Sequence, residues 1–182
     1  MATVFRRGQL VYLRPLERED LNERYLGWLN DPDVTRFMET GIFPTTRDEL
    51  LHFWERVTAS PNDVIFAVAD AEDDAHIGNV KLGPINWVHR VAEFGIMIGD
   101  KSRWGGGRGS EATRLTVSYA FEELNLRKIT LGVLEGNEAA RKAYEKVGFV
   151  VEGRQREQVV RGGRTLDRIV MGLLRDEWQC KT

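Results

Sequence analysis

Apolar residues change their spacing several times along the chain, and each change marks an element. From residue 9 to 16, Leu10, Tyr12 and Arg14 alternate with Val11, Leu13 and Pro15, the two-residue repeat of a strand. Residues 18–29 and 31–37 read as helices, the second capped by Asp31 ahead of Pro32. A third helical stretch begins at Thr46. There Leu50, Phe53, Trp54 and Val57 fall at i, i+3, i+4 and i+7 and form one apolar face. Strands are expected at 64–68, 76–82 and 92–98, separated by turns at 70–74 and at Gly83-Pro84. A helix over about 110–124 follows, marked by Val117, Ala120, Phe121 and Leu124, then a strand at 128–133. The next helix carries Ala140, Ala143, Tyr144 and Val147 and closes at Gly148. Two β segments flank Gly162-Gly163, the expected hairpin turn.

This order predicts an α+β fold. Short links between the middle strands favour antiparallel pairing, and the later strand-helix-strand unit favours a parallel crossover. The result is a mixed, mostly antiparallel sheet of about seven strands with helices packed on it. The chain has 182 residues and no repeat, low-complexity tract or long linker, so a single domain over 1–182 is expected, its core about 9–175. A formal charge of −2 argues against a general nucleic-acid or membrane-surface binder. No apolar run approaches the ~18 residues of a membrane helix. The polar start, with Arg6 and Arg7, does not read as a secretory leader. Cys180 is the single cysteine, which excludes an intrachain disulfide and a cysteine-rich zinc site. His52, His76 and His89 have no metal-ligand spacing, so no metal is assigned. The expected compartment is the cytoplasm.

Chemistry concentrates in Ser102-Arg-Trp-Gly-Gly-Gly-Arg-Gly-Ser-Glu-Ala-Thr113, a glycine loop between a strand and an amphipathic helix. Glycine lets the backbone turn sharply and bare successive N–H groups. Those groups join the unpaired amides of the helix start, which suits a phosphate or pyrophosphate. A P-loop would need Gly-Lys and then Ser or Thr, but Ser110 and Glu111 follow Gly109. The three-glycine dinucleotide pattern would need glycine where Ser110 stands. A tight structural turn is the alternative reading. Glu111 either repels an anion there or turns away to favour the helix dipole.

With these residues in view, the sequence resembles the GNAT superfamily of acetyl-CoA-dependent N-acetyltransferases. Trp104, Gly105, Gly107, Gly109, Glu111 and Ala112 match the loop of the branch similar to ribosomal-protein N-terminal acetyltransferases, with Trp104 where most of the superfamily has Gln or Arg. The run from Asn137 to Phe149, with Tyr144-Glu145-Lys146 and Gly148-Phe149, resembles a second family segment. Leu13-Arg14-Pro15-Leu16 and Trp28-Leu29-Asn30-Asp31 resemble the family's opening. The resemblance implies a sheet splayed between its fourth and fifth strands, helices on both faces, and acetyl-CoA in the gap. It assigns the backbone of Ile96, Met97 and Ile98 to the pantetheine arm. With the glycine loop it places Trp104, Gly105, Gly106, Gly107, Gly109, Ser110 and Asn137 at the rest of the cofactor; Arg108 and Lys142 are expected to contact its phosphates, a solvated charge being the alternative for each.

It also implies direct attack of an amine on the thioester. A lysine-like amine of pKa ~10.4 costs ~4.6 kcal/mol to deprotonate at pH 7, an α-amino group only ~1.4. Glu93 is the candidate base, because it shares a strand face with Gly95 and Met97 beside the expected thioester. Tyr144 matches the family's general acid. The alternatives are a solvated Glu93 and a Tyr144 that only packs. Asn137 is equally a helix cap. Trp28, Phe37, Asn79, Trp87 and His89 are weak candidates for the acceptor pocket. The run Arg154, Arg156, Arg161, Arg164 and Arg168 reads as edge-strand protection or as bait for an anion.

The acceptor stays open. The branch points to a protein N-terminus. Residues 76–100, with Trp87, His89 and Arg90, resemble transferases of nucleotide-linked amino sugars. Among small amines, a polyamine would need acids, for which Glu17, Glu19, Asp20 and Glu23 are available. A non-catalytic acyl-CoA-binding module would keep the loop but have no use for both Glu93 and Tyr144. Nucleic-acid and membrane partners are not expected, and a C-terminal strand pair would suit a homodimer.

Overall fold

The computed structural model describes residues 3–179, so Cys180 lies outside the described residues. The alternating segments form β1 (Arg6–Arg7), β2 (Val11–Pro15), β3 (Val64–Asp70), β4 (His76–Asn86), β5 (Val91–Ile98), β6 (Lys128–Leu134), β7 (Val150–Arg161) and β8 (Arg164–Leu174). The helices are α1 (Glu23–Asn30), α2 (Arg47–Ala59), α3 (Arg108–Glu122), α4 (Glu138–Val147) and the short α5 (Arg175–Gln179). The strands make one sheet in the order β1-β2-β3-β4-β5-β6-β8-β7. Every neighbouring pair is antiparallel except β5 and β6, which α3 connects in parallel.

Alternation along β3 shows how the sheet builds two cores. Phe66 and Val68 face a cluster closed by Ala112, Val117, Phe121, Tyr144 and Val147 of α3 and α4. Ala67 and Ile65 face a second cluster with Tyr25 and Trp28 of α1 and Leu50 and Phe53 of α2. β5 divides likewise: Ala92 and Phe94 join the first cluster, Met97 the second.

The sheet of about seven strands is observed with eight, the added one being Arg6–Arg7 paired with Tyr12 and Leu13, since two residues carry no readable period. Three expectations are corrected. Gly83-Pro84 is a bulge inside β4, where the register shifts between Leu82 and Ile85. Proline has no N–H for a ladder, and the chain instead turns at 87–90. Residues 18–29 divide into a single 3-10 turn at Arg18–Asp20 and α1, because the Asn22 side chain takes the amides of Arg24 and Tyr25 and starts a new helix. Residues 31–37 do not form a helix. The Asp31 carboxylate takes the Asp33 amide at 2.8 Å, and the Asp31 carbonyl takes both the amide and hydroxyl of Thr35, a local turn that competes with helix propagation.

Candidate active site

β5 and β6 pair only where Val91, Ala92 and Glu93 face Lys128, Ile129 and Thr130. Beyond Glu93 they diverge. From Gly95 to Ile98, β5 pairs with β4 on one edge, and its other edge opens into a cleft of about 1160 Å³. Ile96, Met97 and Ile98 line this cleft. Unpaired backbone on a strand edge accepts an extended partner in β fashion, which fits a chain of alternating amides such as pantetheine.

At the end of β5 the glycine loop forms the next wall. Gly105, Gly106 and Gly107 have φ of +77°, +60° and +91°, a run of left-handed residues that side chains would strain. The helix begins on Gly107 with no side-chain cap, and the first amide to find a carbonyl is that of Glu111. The amides from Gly105 to Ser110 donate to nothing among the described residues. Gly105, Gly106, Gly107, Gly109 and Ser110 line the cleft. Such a nest of N–H groups on a helix start is complementary to a diphosphate, so the site fits coenzyme A by its own geometry.

Side chains around the loop hold it rather than fill it. Trp104 lines the cleft, and its indole Nε1 donates to the Ile98 carbonyl at 2.7 Å, tying the loop to the end of β5. Arg108 departs from its expected place: its guanidinium turns to Asp70 at 2.6 Å, away from the cleft lining. Arg103 meets Asp70 and Asp73 as well. Burial of Asp70 opposes its charge, but the hydrogen bond from Arg108, the Glu72 amide and the two guanidinium charges keep its pKa below the ordinary carboxylate value. Glu111 turns away from the cleft and takes the amides of Gln9, Leu10 and Val11 at 3.0, 2.7 and 2.8 Å. Its carboxylate is therefore turned from the cleft, whose lining does not include it.

Asn137 caps α4 through the Ala140 amide at 3.3 Å and also lines the cleft, as do Lys142 and Tyr144. The Tyr144 ring packs edge-on against Phe94 and Phe149. Burial in this apolar wall pushes its pKa up to about 12, and its hydroxyl has no partner among the described residues. Glu93 sits where the strands part and pairs with Arg168 of β8. Arg168 reaches it by lying across β6 over Gly132, where a Cβ would fall 2.0 Å from its Nε.

The other side of the cleft is formed by α1, the 31–46 segment and α2, including Tyr25, Leu29, Phe37, Met38 and Phe53. Asp33, Glu39 and Glu49 stand among these apolar groups, and Glu93 completes the acidic set. The Thr46 amide and hydroxyl hold Glu49 below its ordinary pKa. Glu39 has no partner among the described residues. Lys101 pairs with Asp33 at 3.1 Å, Lys81 is engaged with Asp63, and Arg36 lies over the ring of Phe37. Glu93 was legible from the alternation of β5, but periodicity does not reveal Asp33, Glu39 and Glu49, which come from a loop and a helix that meet it only in the fold.

Of the weak acceptor candidates, Phe37 and Asn79 line the cleft. Asn79 is buried and bonded to His76 at 3.0 Å. Trp28 is buried in the core under α1, edge-on to His76. Trp87 is half-exposed and donates to the Pro61 carbonyl and the Asn62 side chain, away from the cleft. His89 lines a separate depression of about 510 Å³ that touches the cleft only through Glu93. Glu17, Glu19, Asp20 and Glu23 do not line the cleft. Asp20 is buried on Arg14, and Glu23 pairs with Arg47. Among the described residues no group of His, Cys, Asp and Glu is placed to hold a metal.

Residues 11–150 match the model of the acetyltransferase (GNAT) domain. The spermidine N(1)-acetyltransferase of Escherichia coli (strain K12) is 35% identical over 169 residues, 92% of this chain and 88% of that protein. The putative ribosomal N-acetyltransferase YdaF of Bacillus subtilis (strain 168) is 32% identical over 135 residues, 74% of this chain and 72% of that one. Among solved structures, spermidine N-acetyltransferase from Vibrio cholerae in complex with CoA and spermine superposes with a TM-score of 0.86. That pair shares 32% identity and covers 94% of this chain and 99% of the other. The splayed sheet, the bare amides of the glycine loop and these matches together make the chain a member of the GNAT acetyltransferase family, an N-acetyltransferase that uses acetyl-CoA.

Proposed function

We propose that this protein acetylates a small polycationic amine of the polyamine class. The observation that carries the reading is the set Asp33, Glu39, Glu49 and Glu93 spaced among Tyr25, Leu29, Phe37 and Phe53 along one side of the cleft. A polyamine alternates ammonium groups with short methylene chains. Carboxylates separated by aromatic and aliphatic side chains complement that alternation by charge pairing, cation–π contact and apolar burial. The relatives named as spermidine acetyltransferases, similar over nearly the whole chain, support the same class. A protein N-terminus was the first acceptor suggested by the Trp104 form of the loop, and the acidic lining speaks against it, since a single α-amino group has no use for four carboxylates. With one cysteine in 182 residues the composition suits a reducing compartment, and we place the activity in the cytoplasm.

Acetyl-CoA supplies the acyl group as a thioester. In this reading the amides of 105–110 hold its diphosphate, while Asn137 and Lys142 flank the arm. Glu93, directly or through one water, takes the proton from the attacking nitrogen, which must be neutral to react. Tyr144 presents its hydroxyl toward the departing sulfur. A phenol near pKa 12 lies about 3.5 units above a cysteine-like thiol of ~8.5, so full transfer would cost about 5 kcal/mol. Tyr144 therefore stabilises the thiolate by a hydrogen bond, and the proton moves late if at all.

Thioester consumption measured over a panel of spermidine, spermine, an N-terminal peptide and a nucleotide-linked amino sugar tests the proposal. Polyamines should have the highest kcat/KM, and Glu39→Gln should lower it for them more than for a monoamine. A peptide or amino sugar that outpaces every polyamine would overturn it.

A further inference from the structure

We propose that Arg161 holds the acceptor wall of the cleft in shape, as a positioning residue acting through the 35–40 segment. This rests on the reading that the 31–46 side of the cleft receives the amine.

The 31–46 segment does not continue as a helix; the Thr35 carbonyl still takes the Met38 amide, but those of Met38 and Thr40 have no backbone donor. Buried backbone acceptors need a donor from elsewhere. Arg161 provides it from the tip of the β7–β8 hairpin, more than a hundred residues away. Its Nη2 donates to the carbonyls of Thr35 (2.9 Å), Met38 and Thr40. Its Nε is buried without a partner, so the guanidinium is sunk into the segment rather than lying over it in water. A planar, charged fork is suited to gathering several carbonyls that point at one place.

The clasped residues are also cleft residues: Phe37, Met38, Glu39 and Thr40 all line it. The hairpin that delivers Arg161 is anchored in turn. Arg154 pairs with Asp167 and Glu135, and Arg168 crosses β6 to Glu93. One wall of the acceptor side is thereby fastened to the same two strands that carry the partner of Glu93. The Arg164 side chain, on the other side of the turn, makes no hydrogen bond or ion pair among the described residues. The arginine run is therefore not uniform edge protection. An unfastened segment would have to be ordered by the amine as it binds, which weakens binding without changing the chemical step.

The test compares Arg161→Ala, Arg161→Lys and Arg164→Ala with the unaltered chain. Four quantities are measured: hydrogen exchange of amides 35–41, coenzyme A affinity by calorimetry, and kcat and KM for spermidine. For Arg161→Ala, exchange at 35–41 should accelerate and KM should rise, each about tenfold, with kcat and coenzyme A affinity unchanged. Lysine reaches fewer carbonyls and should fall between, which also covers the case in which the alanine variant does not fold. Arg164→Ala should match the unaltered chain. Unchanged exchange overturns the proposal, and so does faster exchange with an unchanged KM. If the unaltered chain acetylates no amine, the acceptor reading fails by itself, and the exchange comparison alone then judges the clasp.

Discussion

The Glu111 carboxylate occupies the space that a Cβ on Gly8 would need, 2.6 Å from its carboxyl carbon. This close approach lets one acid in the first turn of α3 collect three consecutive amides from the β1–β2 turn. The helix that presents the diphosphate nest is thereby fixed to the start of the sheet.

Removing that acceptor should loosen the nest. Glu111→Ala leaves three amides unpaired and should cost about 1.5–3 kcal/mol of stability, the range for hydrogen bonds to a charged group. Gly8→Ala should destabilise by pushing the carboxylate out of place. Thermal unfolding of both variants checks this, and a double variant no worse than Glu111→Ala would show that the two act through one contact.

Glu93→Gln keeps the shape of the side chain and removes the carboxylate proposed as the base. Turnover of a polyamine at pH 7 should fall by about 10²–10⁴-fold, with coenzyme A affinity unchanged. An amine with a lower pKa should be affected less, because less deprotonation is asked of the enzyme. Full turnover across the pH range would leave Glu93 as no more than the partner of Arg168.

Tyr144→Phe preserves the packing against Phe94 and Phe149 and removes only the hydroxyl. We expect kcat to drop about 10²-fold, as for loss of one transition-state hydrogen-bond donor, while coenzyme A affinity changes little. Unchanged turnover would assign the tyrosine to the core alone.

His76 gives a pH dependence to folding rather than to chemistry. Burial between Tyr25 and Trp28 holds its imidazole below the usual pKa, although Asp20 and Asn79 draw it upward. The unfolded chain takes up a proton near pH ~6.5 that the folded chain refuses. Stability is therefore complete above ~6.5 and declines as the pH falls toward the folded-state value, by up to ~1.4 kcal/mol per unit. Chemical denaturation between pH 7 and 5 should show this slope, and His76→Gln should flatten it. An equal slope in the variant would place the titration elsewhere.

Much of the scaffold was legible because it is written in local periods. The alternation in β3 and β5, the apolar face of α2, the Gly148 stop of α4 and the Gly162-Gly163 turn each depend on residues a few positions apart. The diphosphate nest was legible for the same reason: consecutive glycines before a helix start impose their geometry without help from the rest of the chain. The helix expected at 31–37 was not formed, because Asp31 and Thr35 favour a closed turn whose remaining carbonyls are met by a distant arginine.

Local sequence thus determined most of the sheet, the main helices and the bare amides of the glycine loop. Tertiary structure alone decided that Asp33, Glu39 and Glu49 line the cleft beside Glu93, that Arg108 serves Asp70 instead of a phosphate, and that Arg161 and Arg168 reach back to the cleft. The physical reason is separation. A strand or helix is specified by neighbours within a turn or two. Glu93 and Arg168 stand 75 residues apart, Arg161 and Thr40 stand 121 apart, and such pairs meet only once the sheet between them has folded.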